Sequence, residues 1–282
     1  MSNTYTPPKV WTFDEENGSA FSGINKPTSG ARIEKELPVG KHPHQLYSMG
    51  TPNGVKVTIL LEELLELGID EAEYDAYLID IRFGDQFTSG FVDINPNSKI
   101  PALVDKTNSV SVFESGSILL YLAEKFQKFI PKDPVKRVNV MNWLFWQVGS
   151  APYLGGGFGH FYHYATEKLK YPIDRFTMET KRQLDVLDKQ LSKNKYIVGD
   201  EYSIADMAIF PWYGALVKGK LYEAENFLSV HEYKNIIRWT DDLLKRKAVL
   251  RGCLVNKIWG DEDQQLRERH SSEDFKDLRL EF

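Results

Sequence analysis

Three short stretches carry residues whose types and spacing could do chemistry. In Glu114-Ser115-Gly116-Ser117 a carboxylate and two hydroxyls stand at the start of an apolar helical run, "SILLYLAEKF". Free amides at a helix N-terminus attract a carboxylate, and Glu114 beside them could take an ammonium group, so the pair suits an amino-acid head group. A serine there is also an ordinary helix cap, and the residues alone leave both readings open. Ile100-Pro101 opens a short apolar strand. A trans proline at a strand's first residue is common. A cis bond would instead turn Ile100 outward, where its backbone could pair with an extended peptide-like ligand. Thr51-Pro52-Asn53-Gly54 lies between a strand and a helix. Pro-Asn-Gly is ordinary turn chemistry. The same turn also sets a positive helix end beside a hydroxyl and an amide, which together would lower the pKa of a thiol. No cysteine stands in this turn, so the sulfur would have to come from elsewhere.

The elements that must position these stretches can be read from periodicity. "QLYS" is a short strand, and "VKVTILLEELLEL" has helical spacing and stops at Gly68. "EYDAYLIDI" alternates as a strand, a loop with a possible helical turn follows, and "PALVD" and "SVSVFE" are two further strands ahead of the helix at Ser115. The order predicts a parallel pair with a crossover, then a hairpin. From about Lys136 to about Lys247 the patterns are helical. Ser203 and Asp206 stand at capping-box spacing, with a structural role. Residues 1–44, with Trp11, Phe13 and Phe21, read as an extension lying on the body, because the aromatics disfavour a free tail. The stretch from about 253 to 282 is charged, with uncertain helix near "EDQQLRERH". The expected division is therefore 1–44, 45–127 and 136–282.

Composition sets limits. The 282 residues are 42% hydrophobic and carry a net charge of -5. No basic stripe suggests nucleic acid as a partner, and no run is long and uncharged enough for a membrane span. A signal peptide is not recognisable at the start, and there is a single cysteine, Cys253, so the reading is cytoplasmic. Cys253 reads as a bystander. His160-x-x-His163 could share a helix face, but no third ligand at metal spacing supports a metal site. "GGGFGH" lacks the strand-then-helix context of a phosphate loop. Trp143, Phe145 and Trp146 read as helix core, and Arg175 as a solvated charge.

Taken together, "GTPNGVKVTILLEELLELG", "GDQFTSGFVDINPNSKIPAL", "VFESGSILLYLAEKF", "MNWLFWQ", "GGGFGHFYHYA" and "GDEYSIADMAI" resemble the glutathione transferase family. The likeness is greatest to its nu-class bacterial members, relatives of the fungal nitrogen-regulator prion protein. It extends over nearly the whole chain, including "KVWTFDEENGSAFSGINKPTSG". The resemblance implies the glutathione transferase fold: an α/β thioredoxin-like N-terminal domain plus an all-α C-terminal domain, in a homodimer. It implies that Ile100, beside a cis Pro101 and Lys99, pairs with the cysteinyl backbone of glutathione, and that Glu114 and Ser115 hold the γ-glutamyl end. Thr51 and Asn53 would face the sulfur and act in catalysis, with Pro52 shaping the turn. Asn25, Gln86 and Arg175 would complete the pocket. The implied activity is disulfide-bond reduction with one or two glutathione molecules per subunit and no metal. Conjugation to an electrophilic carbon, peroxide reduction and a non-catalytic glutathione-binding regulator are the alternatives. The absence of a long Asn/Gln-rich segment argues against the regulator. One departure is Gln147-Val148, where relatives carry Leu-Gln, a change that bears on the second glutathione.

Overall fold

The computed structural model describes residues 5–14 and 26–282. A four-stranded sheet is built from β1 (His44–Ser48), β2 (Tyr74–Leu78), β3 (Ala102–Asp105) and β4 (Val110–Phe113), in the order β2-β1-β3-β4. β1 and β2 are parallel, joined through helix α1 (Pro52–Glu66); β3 runs antiparallel to β1 and forms a hairpin with β4. Short helix α2 (Ser89–Ile94) precedes β3, and α3 (Ser115–Phe126) follows β4. This is the predicted order, with the parallel pair and the hairpin where periodicity put them. α1 buries Val57, Ile59, Leu60, Leu61 and Leu64 completely, and ends where Gly68 takes φ 74°. Along the extension, Arg32 and Ile33 donate backbone hydrogen bonds to Phe87 O, and Tyr47 donates to Pro38 O at 2.7 Å.

The second half is helical: α4 (Pro134–Pro152) passes into a π-helical segment, Tyr153–Tyr164, and α5 (Lys170–Leu191) returns along it. α6 (Ile204–Ile209), a π-helical turn Phe210–Gly214 and α7 (Ala215–Val217) form one buried rod; α8 (Lys234–Leu243) and α9 (Lys247–Leu254) close the core. Helix thus continues to Leu254, beyond the expected stop near Lys247, because Val249, Gly252 and Cys253 repeat at helical spacing on the buried side of α9, which packs against α1. The Ser203–Asp206 capping box is present, and Asp206 also accepts from Ile197 N–H and Trp239 Nε1, both at 2.9 Å. Trp143 and Trp146 pack edge to face at 5.3 Å, but Phe145 is 62% exposed, which corrects the expectation that all three are core. Phe145 falls on the outer face of α4, with Val138 seven residues before it and Val148 three after.

α1 carries two buried carboxylates that bind the halves together. Glu63 receives both arms of Arg246, at 2.6 and 2.7 Å. Glu62 accepts from Arg251 at 2.7 Å and Tyr74 OH at 2.8 Å, and lies 3.2 Å from Arg269 Nε. Arg269, in the stretch expected to be polar tail, is fully buried. Its guanidinium also meets Glu73 at 2.9 and 3.0 Å and Tyr74 O at 2.7 Å, while its backbone exchanges hydrogen bonds with Ala76 at 2.7 and 3.1 Å. It therefore covers the open edge of β2. The possible helix near "EDQQLRERH" is only a 3-10 turn, Glu262–Gln264.

At the far end of the sheet, Asp105 is buried beside His44 and accepts from Lys125 and from Tyr121 OH, the latter at 2.6 Å. Burial alone would raise its pKa, but the hydrogen bonds from Lys125, Tyr121 and Thr107 N–H outweigh it and hold the carboxyl well below the usual range. A carboxylate so depressed stabilises the fold above its unfolded value of about 4, and that contribution disappears as pH falls through the folded value. Asp105→Asn should therefore lower the Tm at pH 7, and the gap to wild type should narrow progressively below about pH 4. A gap independent of pH would assign the effect to packing.

Candidate functional site

Two helix N-termini face one cleft. Thr51 is the N-cap of α1, with Pro52 at the first helical position, where its fixed φ fits. Gly54 allows α1 to press onto the end of β1: a Cβ there would lie 2.1 Å from Met49 O. The first intrahelical bond is Val55 N–H to Thr51 O at 3.0 Å, so the amides of Asn53 and Gly54 stand outside the helical ladder. Trp212 Nε1–H donates to Asn53 Oδ1 at 2.9 Å. Because an indole N–H only donates, this contact fixes which way the Asn53 amide is turned and leaves its Nδ2 donors for the cleft.

At the second helix end, the amides of Ser115, Gly116 and Ser117 precede the first bond of α3, Ile118 N–H to Glu114 O at 2.9 Å. Ser115 is not the side-chain cap that its position suggested. Glu114 is the N-cap residue and makes no side-chain cap bond, while Ser115 Oγ accepts from buried Lys56 Nζ at 3.1 Å. Glu114 has φ 70° and ψ 118°, a backbone conformation that residues with a Cβ rarely adopt. Such outliers persist where the surroundings over-determine them, often at ligand clamps. Its carboxylate receives Asn97 Nδ2 at 3.4 Å.

Between these ends lies a cavity of about 380 Å³. Thr51, Pro52, Asn53, Gln86, Lys99, Ile100, Pro101, Glu114 and Ser115 all line it. The Ile100–Pro101 bond is cis, and the ladder between β1 and β3 ends at Tyr47–Ala102, so Ile100 stands past the last pair. Gln86 is buried, and its Oε1 has no hydrogen-bond partner among the described residues. Arg175 does not line this cavity; it is exposed on α5. Asn25 lies outside the described residues. Ile81, Asn97, Ser98 and Trp212 also line the cavity and were not anticipated. For Trp212 a sequence cue exists: a tryptophan in a wholly apolar helix needs an acceptor for its N–H.

A wider cavity of about 930 Å³ shares Thr51, Pro52 and Ile81 with the first. Phe83, Tyr164, Tyr222 and Trp259 give it aromatic walls, with Arg82 and Lys220 among its polar residues. Cys253 lines a third space behind Pro52 and is itself buried. Burial pushes its thiol up to about 12, the neighbouring Lys257 opposing only in part.

A thioredoxin-like sheet, an all-helical second half and a cleft built on cis-Pro101 and the α3 N-terminus define the glutathione transferase class. Residues 42–124 match the family model "Glutathione S-transferase, N-terminal domain", and residues 173–247 match the family model "Nuclear-export cofactor Arc1p". The chain is 62% identical over 276 residues to the disulfide-bond oxidoreductase YghU of Escherichia coli K12, spanning 97% of this chain and 96% of the relative. The chain belongs to the glutathione S-transferase family. Among solved structures, glutathione transferase YghU from Streptococcus pneumoniae, complexed with glutathione, superposes with a TM-score of 0.88 at 59% identity, covering 91% of this chain and all of that one. A family member from Pseudomonas fluorescens with two glutathione molecules bound gives 0.68 at 37% identity, covering 74% and 92%.

Proposed function

We propose that this protein is a glutathione-dependent disulfide-bond reductase. One observation carries the reading: two helix N-termini meet at a peptide-sized cavity with no cysteine in its lining, while the chain's single thiol is buried and held protonated. Glu114 takes the α-ammonium of glutathione, Ser115 and the α3 amides take its γ-glutamyl carboxylate, and Ile100 pairs with its cysteinyl backbone. Gln86, Lys99 and Asn97 bound the remaining end. Thr51, Asn53 and the α1 amides hold the sulfur as thiolate at the opening into the wider cavity, where the disulfide lies. The thiolate displaces one sulfur of the substrate disulfide, forming a mixed disulfide and a thiolate that takes a proton from solvent. A second glutathione thiolate then attacks the mixed disulfide, giving oxidised glutathione and the second reduced thiol. The protein supplies binding, orientation and a lowered pKa.

The likeness to structures with one and two bound glutathiones supports both occupancies. Val148 overhangs the α3 N-terminus, its Cγ2 lying 2.8 Å from where a Gly116 Cβ would be. The exposed stripe Val135, Val138, Phe145 and Val148 on α4 fits a homodimer contact. Dependence on reduced glutathione fits the cytoplasm.

The test is turnover of a small aliphatic disulfide with glutathione, run beside conjugation of an aryl halide. Disulfide turnover should dominate and survive Cys253→Ser unchanged. Loss of turnover in a folded Cys253→Ser variant would make the protein's own thiol the nucleophile. Dominant conjugation would make the protein a transferase of carbon electrophiles. Glu114→Gln and Ser115→Ala should weaken glutathione binding by about tenfold or more, a charge-assisted contact being worth about 1.5–3 kcal/mol. Unchanged calorimetric affinity in both would remove these residues from the site.

A further inference from the structure

The apolar face of α1 carries a lysine that the mechanism above does not use. Lys56 is 2% exposed. Its Nζ donates to Ser115 Oγ at 3.1 Å and to Gln147 Oε1 at 2.6 Å. Both acceptors are neutral, and no carboxylate is paired with Lys56 among the described residues. The charged groups around it are accounted for. Glu114, ahead of α3, is the one whose field reaches it. Arg246 and Arg251, from the α9 side, are turned to Glu63, Glu62 and Glu66. Asp206 on α6 is turned to Ile197 and Trp239. α4 offers only Gln147, whose Nε2 is buried without a partner.

A buried cation with no counter-ion is unfavourable by several kcal/mol unless an anion arrives. The hydroxyl at Ser115 shows where one would. Because Ser115 Oγ accepts from an ammonium, its own hydrogen must point elsewhere, and Ser115 lines the cavity. While Lys56 is an ammonium, donor and acceptor chemistry sets the order ammonium, hydroxyl, ligand carboxylate. We propose that Lys56 is a positioning residue that senses the ligand's γ-glutamyl carboxylate through Ser115 and takes up a proton as that anion binds. The inference rests on the glutathione reading of this cavity. Burial pushes the Lys56 ammonium down to about 7, with Glu114 opposing, so in the ligand-free protein above neutral pH the amine is partly neutral. An anion beyond Ser115 favours the charged form, and the proton comes from solvent.

S-methylglutathione isolates this step, because its blocked sulfur cannot ionise. Calorimetry at pH 8 in phosphate and in Tris, buffers of different ionisation heat, counts the protons exchanged. Wild type should take up about half a proton or more per site at pH 8 and close to none at pH 6, where Lys56 is already charged. Lys56→Met should lose this uptake and bind about tenfold more weakly, with kcat at saturating glutathione changed much less than KM. Gln147→Leu keeps the lysine and removes one acceptor, so its uptake should persist and move to lower pH. A wild type that binds with no proton exchange, or a Lys56→Met variant with the same uptake, overturns the proposal. A wild type that does not bind S-methylglutathione overturns the glutathione reading itself, and the role of Lys56 with it.

Discussion

Thr51→Ala and Asn53→Ala should each slow disulfide reduction near neutral pH by about ten- to a hundredfold, with much of the loss recovered at high pH. A hydrogen bond to a charged group is worth about 1.5–3 kcal/mol, equivalent to about one to two pKa units. Each variant removes one donor to the thiolate and leaves the α1 amides in place, so the pKa of the bound thiol rises and a smaller fraction is ionised at pH 7. Binding changes less, because the groups that hold the ligand's backbone and γ-glutamyl end are untouched. Trp212→Phe provides a graded control. It keeps an aromatic ring but loses the indole N–H that turns Asn53, whose Oδ1 lies 2.9 Å from Trp212 Nε1. Its effect should resemble Asn53→Ala in pH dependence and be smaller in size. The measurement is thiolate absorbance of bound glutathione against pH, alongside turnover. Coincident titration curves for wild type and all three variants would place thiol activation elsewhere.

Arg269→Met should lower the unfolding free energy by about 3–5 kcal/mol, the range for breaking a buried ion pair from one side. The guanidinium is fully buried and meets Glu73, Glu62 and Tyr74 O together. Methionine fills part of the volume but leaves Glu73, among the described residues, with only the His42 imidazole, 3.5 Å away, and Tyr74 O without this donor. Glu62 retains Arg251 and Tyr74 OH, so Glu62→Gln should cost less than the arginine change. Denaturant unfolding with a shared m-value gives the comparison. A loss below about 1 kcal/mol would mean that the backbone bridge to Ala76, and not the charge, holds this segment.

Local patterns exposed the parts of this molecule that are made locally. Periodicity found the β-strands and α1, and the Ser203–Asp206 box was visible because capping needs only three residues of spacing. Within the site, Thr51, Asn53, Ile100 and Glu114 could be singled out because each stands where an element begins. The hidden parts are pairings between distant stretches. Trp212 and Asn53 meet across 159 positions. Lys56 stands in sequence as one of four charges on α1, and it is α4, 91 positions away, that supplies its acceptor Gln147. Arg269 sits among charged neighbours that are exposed, and nothing local distinguishes it from them. Ser115 misled in the opposite direction. Its type and place are those of a cap, but the chain turns at Glu114 with φ 70° and enters the helix one residue early.

The segment around Arg269 has a consequence for how the protein is made. It closes the edge of β2 by contacts that reach 195 residues back along the chain, to Tyr74. At about 5–20 residues per second, a ribosome delivers that closing piece roughly 10–40 s after the strand it completes. Through that interval the nascent N-terminal half carries the β2 edge unpaired and Glu62 and Glu63 without their arginine partners, a surface open to pairing with other strands until the chain is complete.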